Sequence, residues 1–188
     1  LRNLYTTSNL LSRGEWQKSG GISLYGKTVG IIGAGHIGAE FIRLLQPFGC
    51  NILINDILDK SSLTTEYSNV KQVPLDSLLN QSDIVSLHVP LTIETEQLVD
   101  TDFLAKMKPT AVLLNTARGE LVDQQALKTS LLNAQIAGAA IDVYDQEPPT
   151  DLELLSIPNL IPTPHIGGNS LEATLAMGKA AIHNLSDL

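Results

Sequence analysis

The feature that most constrains this chain is Lys27-Thr28-Val29-Gly30-Ile31-Ile32-Gly33-Ala34-Gly35-His36-Ile37-Gly38, an apolar run that breaks into a glycine-spaced turn and continues with helical spacing. These are the parts of a dinucleotide-binding βα unit. Gly33 can make the tight turn out of the strand, Gly35 keeps no side chain between a pyrophosphate and the backbone, and Gly38 lets the helix lie close to the sheet. The free N–H groups at the helix N-terminus and the positive end of its dipole then face the phosphates. Three glycines at this spacing also arise in turns that bind nothing, so context decides. Here a second apolar run, residues 51–55, ends at Asp56, eighteen residues beyond Gly38. A carboxylate at that place meets the adenosine ribose hydroxyls and repels a 2′-phosphate. Neither Ile57 nor Leu58 offers a compensating cation, so NAD is expected rather than NADP.

The 188 residues suffice for a proper core, and 43% hydrophobic with 17% charged is an ordinary globular balance. A net charge of −8 gives no electrostatic case for nucleic acid or an anionic membrane. The single cysteine, Cys50, reads as a small buried side chain. It can form no internal disulfide, which suits a reducing compartment. Without a long apolar run or a signal segment, the expectation is a soluble cytoplasmic protein. The chain starts at Leu1 and opens helically with no preceding strand, so it is expected to be a fragment of a longer polypeptide.

Short apolar runs alternate with helical patterns, as in a parallel sheet covered on both faces. Strands are expected at 28–33, 51–55, 84–89, 111–115, 136–143 and 160–163, and helices at 37–48, 75–80, 101–107 and 123–133. Right-handed crossovers then give a doubly wound parallel α/β sheet of the Rossmann kind, in three α/β/α layers. Residues 1–16 and 171–185 read as amphipathic helices flanking the sheet, suited to a missing domain or a second subunit.

Three stretches carry chemistry just past later strands: Leu114-Asn115-Thr116-Ala117-Arg118-Gly119, Asp142-Val143-Tyr144-Asp145-Gln146-Glu147-Pro148 and Thr163-Pro164-His165-Ile166-Gly167-Gly168. Each sets an ionisable group beside a Gly or Pro turn, where ligands bind in open α/β sheets. A guanidinium suits a carboxylate substrate, an imidazole suits proton transfer, and a carboxylate can hold the imidazole.

With Ser82-Asp83-Ile84-Val85-Ser86-Leu87-His88-Val89-Pro90-Leu91-Thr92 added between the glycine turn and these stretches, the order of motifs resembles the D-isomer-specific 2-hydroxyacid dehydrogenases over essentially the whole chain. The resemblance implies that Arg118 binds the substrate carboxylate and carbonyl oxygen, that His165 is the acid/base, and that Glu147 pairs with His165. It implies that Asp142 and the backbone around Ala117 hold the nicotinamide carboxamide, with His88 and Pro90 lining the cleft. The full expected NAD contact set is Gly33, Gly35, His36, Ile37, Gly38, Asp56, His88, Val89, Pro90, Thr116, Ala117, Arg118, Asp142, His165, Gly167 and Gly168, with no metal. It further implies a small 2-oxo or 2-hydroxy acid substrate, a homodimer built through this domain, and a separate substrate domain outside this chain.

Glu147 stands where formate dehydrogenases carry Gln, and the run after His165 lacks the aromatic residue of D-lactate dehydrogenases. The His-Ile-Gly-Gly ending is more similar to phosphoglycerate dehydrogenases and to hydroxypyruvate or glyoxylate reductases, the first being favoured. NAD-dependent co-repressors of the C-terminal-binding type resemble the same family and keep the triad, so a dinucleotide sensor stays open, as does a bare nucleotide-binding module. Plainer roles stand beside the sharp ones: a surface side chain for His36, a solvated helix residue for His183, a satisfied polar group for His88, a strand-start cap for Asp83, and solvated loop charges for Glu94, Glu96 and Asp145.

Overall fold

The computed structural model describes residues 1–18 and 21–186, with side chains up to residue 182. After helix α1 (Leu4–Ser12), strand β1 (Thr28–Ile32) leads into α2 (His36–Leu45) and β2 (Asn51–Asn55). Then come α3 (Ser61–Glu66), β3 (Val70–Gln72), α4 (Leu75–Gln81), β4 (Ile84–Leu87), α5 (Thr101–Lys106) and β5 (Val112–Asn115). The chain closes with α6 (Gln124–Leu132), β6 (Gly138–Ile141), α7 (Leu152–Leu155), β7 (Leu160–Pro162) and α8 (Leu171–Ser186). All seven strands pair in parallel in the order β3-β2-β1-β4-β5-β6-β7.

Alternation along the strands splits the core in two. Val29 and Ile31 of β1 with Ile52 and Ile54 of β2 meet Ile42 and Leu45 of α2 on one face. On the other, Leu53, Val85, Leu87 and Leu113 pack with Leu78 of α4, Phe103 of α5, Leu127 of α6 and Leu154 of α7. This is the expected three-layer doubly wound fold. The order reverses between β1 and β4, and such a switch point opens a crevice at the carboxyl ends of the strands.

Several elements differ from expectation. β2 has the expected bounds, whereas β1, β4, β6 and β7 stop short at their carboxyl ends because the backbone turns away at Gly33, His88, Asp142 and Thr163 to build loops. Pro47 ends α2 early by removing a helical donor, so Gln46–Phe48 is a 3-10 turn. Edge strand β3 and helices α3 and α7 were not expected at all. β3 has three residues with Lys71 outward, and α3 buries none of its residues, so neither carries a periodic signal. The flanking helices form at both ends, but α1 spans Leu4–Ser12 rather than 1–16, and it too buries nothing. The side chain of His183 lies outside the described residues.

Candidate active site

At the glycine turn each glycine meets its expected demand. Gly33 has φ +89°, and a Cβ there would lie 2.7 Å from the His88 carbonyl oxygen at the end of β4, across the switch point. A Cβ on Gly38 would strike the Gly33 carbonyl oxygen, whereas one on Gly35 would meet nothing within 4 Å. Gly35 caps α2 with no side-chain hydrogen bond, so the first N–H groups face an open cradle shaped for an anion. The side chain of His36 points to solvent, its plainer reading.

Asp56 stands at the end of β2, next to this turn. Its Oδ2 accepts the Ala34 N–H at 2.8 Å and its Oδ1 the Leu58 N–H at 2.8 Å. Burial opposes the charge, but these amides and the Lys60 ammonium, 3.5 Å from Oδ2, outweigh it and hold the carboxyl below its usual range. Ile57 and Leu58 carry no charge, as the sequence says, and the cation beside Asp56 is Lys60. It comes four residues after Asp56, and the loop folds back to deliver it.

Beyond the turn, His88 bonds Ser86 Oγ through Nε2 at 2.9 Å, and its ring centroid lies 5.3 Å from that of Phe41. Burial pushes its pKa down, favouring neutral imidazole. His88 and Pro90 line a concavity of about 360 Å³ with Ile37, Thr116, Ala117 and Arg118. Buried Asn115 shapes the turn that carries the last three, accepting from Ala117 N–H at 3.0 Å and donating to the Arg118 carbonyl at 2.8 Å.

The third part is the Glu147–His165 pair. His165 Nδ1 lies 2.8 Å from Glu147 Oε2 and 3.1 Å from Oε1, and the Tyr144 N–H donates to Oε1 at 3.1 Å. The His165 bond, then the Tyr144 bond, hold the Glu147 carboxyl below its usual value. His165 has φ +54°, a left-handed backbone uncommon outside glycine and found at sites where the surroundings impose a conformation. Those surroundings are visible. Asp142 Oδ1 accepts the Thr163 hydroxyl at 2.5 Å and the Ile166 N–H at 2.9 Å, while Oδ2 accepts the Gly167 N–H at 2.7 Å. Asp142 therefore fastens the His165 loop, a role sequence reasoning missed. Tyr144 adds a hydroxyl bond to the Thr163 carbonyl at 3.1 Å.

Gly119 links this part to Arg118, since a Cβ there would overlap the Tyr144 carbonyl carbon. That close approach brings Arg118, Glu147 and His165 to one concavity of about 250 Å³. Asp83 caps β1 through the Thr28 N–H at 2.9 Å and pairs with Lys108. Asp145 is a loop charge bonded by Gln124 at 2.5 Å, and Cys50 is buried.

Residues 1–167 match the sequence profile of the D-isomer specific 2-hydroxyacid dehydrogenase NAD binding domain. The chain belongs to this family. The NAD-binding domain is 41% identical over 191 residues to a glyoxylate reductase of Thermofilum pendens, covering 98% of this chain and 56% of that protein. It is 38% identical to the D-3-phosphoglycerate dehydrogenase of Methanocaldococcus jannaschii, covering 94% of this chain and 34% of the relative. The crystal structure of a glyoxylate reductase from Paecilomyes thermophila superposes with a TM-score of 0.90 at 36% identity, covering 99% of this chain and 57% of the other. The chain thus spans little more than half of two of these proteins and a third of the other. The dinucleotide-sensing regulator finds no support among these relatives. No helix among the described residues is long and apolar enough to cross a membrane.

Proposed function

We propose that this NAD-binding domain is the cofactor half of an oxidoreductase that transfers a hydride between nicotinamide and a small 2-hydroxy or 2-oxo acid. The observation that carries the reading is the Glu147–His165 pair, 2.8 Å apart and sharing a concavity with Arg118 at the carboxyl ends of the strands. An ionised carboxylate only accepts, so Nδ1 of His165 donates to Glu147 and Nε2 is the atom left to exchange a proton with substrate. Reduction uses the imidazolium as the donor to the carbonyl oxygen, and oxidation reverses the transfer. Glu147 favours the protonated ring and fixes its orientation. The Arg118 guanidinium is suited to clamp the substrate carboxylate in a fork and polarise the neighbouring carbonyl.

The open cradle at Gly35, the free amides of α2 and the Asp56 carboxylate fit an NAD molecule, with Ile37, His88, Val89 and Pro90 along the crevice and Thr116, Ala117, Asp142, Gly167 and Gly168 at its far end. Bound nicotinamide supplies the hydride, so Arg118, Glu147 and His165 need only bind, orient and move protons. The names of the relatives favour glyoxylate or a related 2-oxo acid, with the phosphoglycerate pair as the alternative. Polypeptide beyond residues 1–188 completes the cleft in this reading, which the greater length of the relatives supports. A homodimer is also part of it, supported by apolar side chains exposed on α1 and α8.

The test follows NADH oxidation with glyoxylate, hydroxypyruvate and 3-phosphohydroxypyruvate, using the full-length protein and residues 1–188 separately. The full-length protein is expected to reduce at least one of them, and His165→Ala to lower that rate by about 10² to 10⁴ with NADH affinity little changed. Residues 1–188 are expected to bind NADH with negligible turnover, because excluding water needs a closed cleft. Failure of every 2-oxo acid, or indifference to His165, overturns the function; robust turnover by residues 1–188 overturns the two-part cleft.

A further inference from the structure

One charged side chain, Lys60, stands beside the NAD cradle. Lys60 Nζ stands 3.5 Å from Asp56 Oδ2, and both side chains are largely shielded, 17% and 10% exposed. The loop that carries them is fixed at several points. Leu58 N–H closes a turn on Asp56 Oδ1 at 2.8 Å, and Gln72 of β3 accepts the Lys60 N–H at 2.8 Å. The same Gln72 amide donates to the carbonyls of Leu58 at 2.9 Å and Asp56 at 3.2 Å. Asp56 Oδ2 also accepts the Ala34 N–H of the glycine turn, so carboxylate, ammonium and phosphate turn are immediate neighbours. Ile57 and Leu58 point outward and carry no charge; among the described residues Lys60 is the cation that acts on Asp56.

We propose that Lys60 sets how strongly this site discriminates against a 2′-phosphorylated dinucleotide, as a latent phosphate ligand whose charge Asp56 occupies. The proposal rests on the reading of Asp56 as the ribose ligand and deepens it. Alone, Asp56 would repel a 2′-phosphate outright. With a shielded ammonium against it, part of that repulsion is offset, and preference for NAD depends on one carboxylate rather than on the lack of a cation. Removal of the carboxylate leaves the ammonium shielded and unpaired, an unfavourable state that a phosphate oxygen relieves by a charge-assisted hydrogen bond.

The test is calorimetric titration of NAD⁺ and NADP⁺ into residues 1–188 and four variants, each first checked for native circular dichroism and cooperative melting. The native chain is expected to bind NAD⁺ more tightly than NADP⁺. Asp56→Ser and Asp56→Asn, two variants so that misfolding of one is not decisive, are expected to gain about tenfold or more in NADP⁺ affinity and to lose NAD⁺ affinity. Lys60→Met keeps the apolar stem and is expected to weaken NADP⁺ selectively. The double variant Asp56→Ser with Lys60→Met is expected to lose the NADP⁺ gain. A gain that survives Lys60→Met, or a Lys60→Met effect equal for both dinucleotides, overturns the proposal and leaves Asp56 as the ribose ligand. Asp56 variants that change neither affinity overturn the ribose reading and the proposal with it.

Discussion

Asp142 is gripped by three donors from the loop that carries His165, and the grip has a pH signature. Burial disfavours the anion, yet the Thr163 hydroxyl and the amides of Ile166 and Gly167 outweigh it and keep the carboxyl below its usual range. A carboxyl with a depressed folded pKa contributes stability above its unfolded pKa and loses that contribution as pH falls through the folded value. Asp142→Asn turns an acceptor into a donor facing another donor, so it should lower stability at neutral pH by about 1–3 kcal/mol. Urea unfolding should show the gap from the native chain narrowing as pH drops through the aspartate range; a constant gap would mean the charge is irrelevant. Glu147→Gln asks a different question. It keeps shape and loses the charge that favours imidazolium, so the alkaline limb of 2-oxo acid reduction should move to lower pH, with activity surviving best in acid. An unmoved or alkaline-shifted pH–rate profile of the full-length protein would leave Glu147 a structural carboxylate.

Helix α6 ends in a complete Schellman arrangement, with Gln135 N–H to the Ser130 carbonyl at 2.9 Å and Ala134 N–H to the Leu131 carbonyl at 3.2 Å. The left-handed position belongs to Ala134, φ +52°, where glycine is normal. Ala134→Gly should therefore stabilise the domain by about 1 kcal/mol, raising Tm by about 2–4 °C in a thermal melt. An unchanged or lower Tm would show that the strain is relieved in another way. The same scale explains what could be read from the chain. The five inner strands were legible because burial on both faces makes them continuous in apolar residues, edge strand β7 because Leu160 and Ile161 make a short apolar run, and α6 because Asp123 announces its start by accepting from Gln125 and Ala126 N–H. β3 and α3 have neither signal. Arg118, Glu147 and His165 stood out because each lies beside a glycine or proline just past a strand. Lys60, Tyr144 and the fastening role of Asp142 did not, since their partners come from other loops: Thr163 lies 19 residues from Tyr144, and Gln72 lies 12 from Lys60.

Across the whole molecule, burial is uneven. The sheet face shared by α2 is open beyond β4, leaving an apolar groove of about 840 Å³ lined by Phe41, Ile84, Leu114, Ala140 and Ile161, with residues 1–6 along its rim. Leu4, Tyr5 and Leu11 on α1 and Leu171, Leu175 and Ile182 on α8 are exposed by more than half. Apolar surface of this extent is characteristic of an interface. Sedimentation of residues 1–188 should give a dimer at micromolar concentration, and a monomer would contradict the proposed homodimer. The sheet itself is guarded at both lateral margins. β3 ends the order on one side with three residues and an outward lysine, and β7 ends it on the other with three residues closing on Pro162, which has no N–H to offer. A second chain thus finds only short, interrupted edges for strand addition, an arrangement that disfavours fibrillar growth by a molecule with this much greasy surface.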